Sequence, residues 1–133
     1  MKQVLDFLNN AGVYYLATAA DNRAHIRPIG FVMEHQGRLT FCTDNRKAMY
    51  QQMSANPQVE ICCYDGTSTL RISGKAVFCT SAEAQQKALE LMPALKHMYS
   101  VNDGIFELYY LDSDKAIRST MQGDLEEWPL SNS

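Results

Sequence analysis

Arg27, Thr43, Asn45 and Lys47 are the residues whose types and spacing best suit chemistry, and the chemistry they suit is capture of an anion. Around Thr43-Asp44-Asn45 the apolar period changes from strand-like to helical, with Ala48, Met49, Gln52 and Met53 recurring on one face. All three residues before that change favour N-caps. A helix N-terminus carries unpaired N–H groups and a partial positive charge, so it favours a negative ligand. Thr43 and Asn45 would add side-chain donors there and Lys47 a full charge. Arg27 would bring a guanidinium fork matched to phosphate. An ordinary capped helix beside solvated Lys and Arg would use the same residue types, so the pattern alone leaves both readings open.

The elements that must position these residues lie between Ala24 and Tyr50. Ala24 to Val32 has strand character interrupted by Pro28, His35-Gln36-Gly37 is a turn, and Arg38 to Cys42 is a second strand; together they are expected to form a β-hairpin. Within the first strand Arg23, His25 and Arg27 share one face by the period of two. A solvated edge strand would look the same, and Pro28 favours an edge because it cannot donate to a ladder. Pro28 and Gly30 also leave room for a flat ligand against the backbone.

The chain has 133 residues, 46% apolar and 20% charged, with a net charge of −3 and a pI near 5.5. That composition predicts one globular domain, residues 1–133, with a C-terminal tail from about 121. It lacks the basic excess that nucleic-acid binders carry. The opening residues are too polar for a signal peptide and no apolar run reaches membrane-spanning length, so a cytoplasmic protein is expected. Cys42, Cys62, Cys63 and Cys79 sit in strand-like runs without CxxC spacing, which predicts buried reduced thiols and no metal site.

In chain order, Val4, Leu5, Phe7 and Leu8 form a helical stripe ending at Gly12. Val13 to Thr18 is β-rich, and Asp21-Asn22 turns the chain into the strand at Ala24, giving a three-stranded meander. Asn56-Pro57 stops the second helix before the strand Val59 to Tyr64. Leu70 to Cys79 is a longer strand whose interior Gly74 predicts a bulge or bend of the kind that curls a sheet into a barrel. Thr80-Ser81-Ala82-Glu83 reads as a capping box for a helix that stops before Pro93, with another helical turn over Ala94 to Tyr99. Ile105 to Leu111 and Lys115 to Arg118 are the closing strands.

The segments HIRPIGF and FCTDNRKAMYQQMSANPQVEICCY, in this order of elements, resemble the pyridoxamine 5′-phosphate oxidase-like FMN-binding split barrels, from about Phe7 to Thr120. The resemblance implies an α+β fold, mainly antiparallel β with covering helices, and FMN as cofactor. It places Arg27 and Lys47 on the FMN phosphate with help from Thr43 and Asn45. Backbone at Pro28 and Ile29 would lie beside the isoalloxazine ring, with Cys42 near its edge. Thr69 aligns where many relatives carry a flavin-binding Gln.

True pyridoxamine phosphate oxidases carry a C-terminal Arg for the substrate phosphate, and no Arg follows Trp128 here, which argues against vitamin B6 oxidation. Shorter relatives include flavin reductases, nitroimidazole-reductase-like and stress-associated proteins, haem-degrading enzymes and deazaflavin binders. The expected function is an FMN-dependent oxidoreductase moving electrons from NAD(P)H to a small acceptor; the alternative is a non-enzymatic flavin or haem carrier or sensor. No catalytic acid or base is demanded, because flavin carries the chemistry. His25 and His97 are read as structural or solvated, and Tyr109, Tyr110 and Trp128 as core or interface. The run Phe106, Leu108, Tyr109 and Tyr110 exceeds what one strand face usually buries. With the resemblance, that surplus predicts a homodimer with flavins at its interface.

Overall fold

The Asp21-Asn22 turn sets the first local structure. Both residues have positive φ, 54° and 60°, which matches the right-handed twist of flanking strands and closes a tight hairpin with Ala20 opposite Arg23. This hairpin joins β1 (Tyr14–Ala20) to β2 (Arg23–Ile29). The computed structural model describes residues 1–130; the last three residues, the end of the tail expected from about 121, lie outside the described part.

Ahead of the hairpin, α1 (Lys2–Ala11) ends at Gly12, whose φ of 81° lets its N–H reach the Leu8 carbonyl. After it come β3 (Met33–His35), β4 (Arg38–Asp44), α2 (Ala48–Ala55), β5 (Gln58–Tyr64), β6 (Ser68–Phe78) and α3 (Ala82–Leu91). A 3-10 turn over Pro93–His97 leads into β7 (Phe106–Asp112), β8 (Lys115–Thr120) and β9 (Leu125–Pro129). All strand pairs are antiparallel, in the path β2-β1-β5-β6-β7-β4-β3, with β8 on β6 and β9 on β8.

The ends of that path explain the architecture. A flat path of seven strands would hold β2 and β3 about 29 Å apart. Yet only residues 30–32 link them, and the chain from Ile29 to Met33 spans at most about 14 Å. The sheet must therefore curl until its two edges nearly meet, which gives the expected split barrel. The expected hairpin of residues 24–42 is corrected here: β4 pairs with β3, and β2 pairs with β1. The three-stranded meander fails for the same reason, because β1 has β5 as its second neighbour.

Gly74 lies where β6 changes partners, from β8 at Ser68 to Arg71 to β7 at Lys75 to Phe78. A Cβ there would fall 2.5 Å from the Asp112 carbonyl oxygen, so the close approach that bends the sheet requires glycine. β7 is buried on both faces. Tyr109 and Leu111 point into the barrel with Leu16, Phe41, Ile61 and Ile72, while Phe106 and Leu108 pack with Ala84, Ala88 and Leu89 of α3. The apolar surplus on this strand is thus absorbed within one chain, and the expectation that it forms a subunit contact is corrected. Tyr110 is half-buried, with the Arg38 guanidinium 4.2 Å from its ring centre. Trp128, on β9, packs edge-on against Phe7 of α1. Within the expected tail, Leu125–Pro129 is therefore a strand that covers the first helix.

Two further expectations shift. Ser81 caps α3 by accepting the Ala84 N–H at 3.0 Å, while the Thr80 hydroxyl donates to Glu107, so the cap sits one residue later than the capping box implies. Of the cysteines only Cys63 is fully buried; Cys42, Cys62 and Cys79 are partly exposed.

Candidate functional site

The curled edge of β2 faces the start of α2 across the split, and between them lies a cleft of about 580 Å³, a size that admits a small organic ligand. It is lined by Arg27, Pro28, Ile29, Gly30 and Phe31 from the barrel edge and by Cys42, Lys47, Ala48 and Met49 from the β4 to α2 junction. Met92 and Leu95 close it. Five of the predicted residues, Arg27, Pro28, Ile29, Cys42 and Lys47, therefore meet in one place. They meet through closure of the barrel, since their strands do not pair. A second cleft of about 500 Å³, between Gln36 to Leu39 and Leu111 to Asp114, brings together none of the predicted residues.

The other predicted residues stand elsewhere. Thr43 points into the barrel, 3% exposed, and its hydroxyl has no hydrogen-bond partner among the described residues. Asn45 donates its side-chain amide to the Gly104 carbonyl at 2.8 Å. Thr69 lies on the outer face of the sheet, opposite Tyr64 and Ser119. None of the three lines the cleft.

The junction itself differs from a side-chain-capped helix. Lys47 occupies the N-cap position of α2 with extended backbone and no side-chain cap bond. Asp44 instead folds the loop: its Oδ1 accepts the Arg46 N–H at 2.9 Å and its Oδ2 accepts from Arg46 Nη2 at 3.0 Å. The Arg46 bonds hold the Asp44 carboxyl down at about 2, against burial that acts the other way and with help from the Tyr99 hydroxyl. With its backbone settled by Asp44, Lys47 is left exposed and forms no ion pair among the described residues.

Arg27 is held more firmly than its edge strand would suggest. Its Nη1 donates to Thr18 Oγ1 at 2.9 Å and its Nη2 to Gln52 Oε1. Burial lowers its pKa, but a guanidinium stays charged at neutral pH. Burial pushes the Cys42 thiol up to about 12, with Lys47 pulling weakly the other way. Cys42 is thus a neutral wall of the cleft. No His, Asp or Glu is among the residues lining it; His25 lies beyond it on β2 and His97 is exposed. The cleft therefore carries two cationic side chains, Arg27 and Lys47, in an otherwise largely apolar wall.

These features fit a phosphate attached to a flat apolar body. Arg27 keeps its Nε–H without a partner among the described residues, Lys47 is unpaired, and Pro28 to Phe31 leaves open backbone beside Met49 and Leu95.

Sequence reasoning missed Phe31, Met49, Met92 and Leu95 as walls, and Thr18 and Gln52 as partners of Arg27. Met92 and Leu95 are joined to Lys47 only by the tertiary fold, and no local pattern carries that contact. Gln52 did leave a signal, as a polar residue on the helix face of Met49 and Met53.

The family profile described as Pyridoxamine 5'-phosphate oxidase matches residues 1–120. A NimC/NimA family protein from Clostridium acetobutylicum is similar at 35% identity, over 96% of this chain and 92% of that one, with a TM-score of 0.88. A heme binding protein from Mycobacterium smegmatis shares the fold at 15% identity and TM-score 0.73, over 93% of this chain and 55% of that one. So does a pyridoxamine 5'-phosphate oxidase-related, FMN binding protein from Nostoc punctiforme, at 21% identity and TM-score 0.66, over 95% and 86%. Comparison with curated proteins gives no match.

Proposed function

The chain belongs to the pyridoxamine 5′-phosphate oxidase family, and on that premise we propose that it is a cytoplasmic FMN-dependent oxidoreductase that passes electrons from NAD(P)H to a small acceptor. The observation that carries this reading is that Arg27 and Lys47, neither paired with a carboxylate among the described residues, both line one otherwise largely apolar cleft. The FMN-binding relative from Nostoc punctiforme supports the choice of flavin.

FMN, when bound, supplies the hydride and electron chemistry. Arg27 and Lys47 hold its phosphate by charge-assisted bonds. Pro28 and Ile29 orient the ring through backbone, and Phe31, Met49, Met92 and Leu95 keep water from it. Cys42, protonated at neutral pH, contributes contact without acting as a nucleophile. Because no carboxylate or imidazole is among the described residues lining the cleft, protons come from solvent, and the acceptor is not held by a charge beyond the two already used. That favours a small, uncharged, electron-poor acceptor.

Non-enzymatic carriage of flavin or haem on the same fold is the second reading, motivated by the heme binding relative. The described residues lining this cleft include no His or Tyr, and Cys42, which burial keeps as a neutral thiol, is not the thiolate that ligates haem. Met49 and Met92 have no His among those residues to complete a Met/His pair, which favours flavin. Steady NAD(P)H oxidation by FMN-loaded protein, dependent on an added nitroaromatic acceptor, is the expected result. Tight FMN binding without turnover would leave the carrier reading standing instead.

A homodimer is part of the same reading. Tyr15, Ile26, Tyr64 and Leu125 are 48%, 69%, 59% and 71% exposed and share the outer face of the sheet with Pro28, Cys62 and Ile117. A two-fold contact through this face would cover them, and Thr69, which lies on the same face, would then contribute to a flavin pocket shared with the partner subunit.

A further inference from the structure

Gln52 stands one turn along α2 from Met49 and next to Met53, both buried, so its polar group needs a partner. It has two. Gln52 Oε1 accepts from the Thr18 hydroxyl at 2.6 Å and from Arg27 Nη2. Arg27 Nη1 donates to Thr18 Oγ1 at 2.9 Å and to the Leu16 carbonyl at 3.4 Å, which closes a ring of three side chains from β1, β2 and α2. Thr18 is 2% exposed, so the ring is sealed on its inner side.

A guanidinium has five N–H donors. The ring and the Leu16 contact use both Nη1 donors and one of Nη2. What remains is Nε–H and the second Nη2–H, the side-by-side pair that matches two oxygens of a phosphate, and neither has a partner among the described residues. A free arginine on an edge strand would lose its rotamer freedom on binding an anion; one already held in a ring has lost it beforehand.

We propose that Gln52 and Thr18 are positioning residues that aim the side-on fork of Arg27 at the cofactor phosphate. The inference rests on the phosphate site argued above. It also explains why Gln52 must present its oxygen, since a guanidinium offers donors alone.

The test is titration of the full chain with FMN and with riboflavin, alongside thermal melting, for the wild type, Gln52→Leu, Thr18→Val, Thr18→Ser, Arg27→Ala and the Gln52→Leu/Arg27→Ala pair. Gln52→Leu and Thr18→Val should each weaken FMN about tenfold, leaving riboflavin unchanged. Thr18→Ser should keep the wild-type ratio, and Gln52→Leu should cost nothing further once Arg27 is alanine. If the wild type prefers FMN but Gln52→Leu and Thr18→Val retain that preference, or if the Gln52 and Arg27 losses add, the positioning role is overturned. If the wild type binds both flavins equally, the phosphate site itself falls and this role with it. Thr18→Val carries the test should Gln52→Leu not fold.

Discussion

The Tyr99 hydroxyl donates a 2.8 Å hydrogen bond to Asp44 Oδ2, tying the segment after the Pro93–His97 turn to the end of β4. Tyr99 also stacks on Phe106, with ring centres 4.6 Å apart. The two contacts hold Met92 and Leu95 against the strand that delivers Lys47, so one wall of the cleft depends on one carboxylate.

That dependence should appear as acid sensitivity. Asp44 is buried and its carboxyl is held at about 2, below the ordinary value of 3.8, first by Arg46 and then by Tyr99 against burial. A lowered folded value means stability present above about pH 4 and lost as pH falls towards about 2. The amount is at most about 2 kcal/mol, since Arg46 is largely exposed. Urea unfolding across that range should show the loss, and Asp44→Asn should reduce it; an unchanged pH profile in the variant would count against the role given to Asp44.

Lys47→Ala should weaken FMN binding about tenfold with little change in melting temperature, because Lys47 is exposed and unpaired among the described residues. Unchanged FMN affinity would return Lys47 to the status of a solvated helix-start residue.

Gly74→Ala should destabilise the fold by about 1–3 kcal/mol, because the new methyl meets the Asp112 carbonyl, which belongs to a paired strand and cannot swing aside. A variant as stable as wild type by chemical denaturation would show that the β6 bend tolerates a side chain.

The barrel was legible from local signals: the Asp21-Asn22 turn, the Gly12 and Pro93 stops, the interior Gly74 and the alternating runs each named an element. Pairing was not. Ala24 to Val32 looks continuous with the following strand, but Gly30 to Val32 crosses the split and joins opposite edges of the sheet. Local spacing carries no information on that closure. Likewise Phe106 and Leu108 look surplus beside Tyr109 until α3 is seen to cover the far side of β7. Arg27 and Lys47 were recognisable by type, whereas the Thr18 and Gln52 ring needed the contact between α2 and β1 to become visible.

If the outer sheet face is the dimer contact, Ile26→Arg should disrupt it without harming the monomer fold, since Ile26 is 69% exposed. Light scattering should give about twice the chain mass of 15.0 kDa for wild type and a shift towards the monomer for the variant, with FMN released. A monomer that retains its flavin would contradict the shared pocket.

The central claim is that the cleft between β2 and α2 holds FMN by its phosphate, and paired titrations of the wild-type protein with FMN and riboflavin test it most directly. Arg27 and Lys47 each contribute a charge-assisted contact of about 1.5–3 kcal/mol that riboflavin cannot make. Riboflavin should therefore bind at least about tenfold more weakly than FMN. Equal dissociation constants for the two flavins would contradict the account.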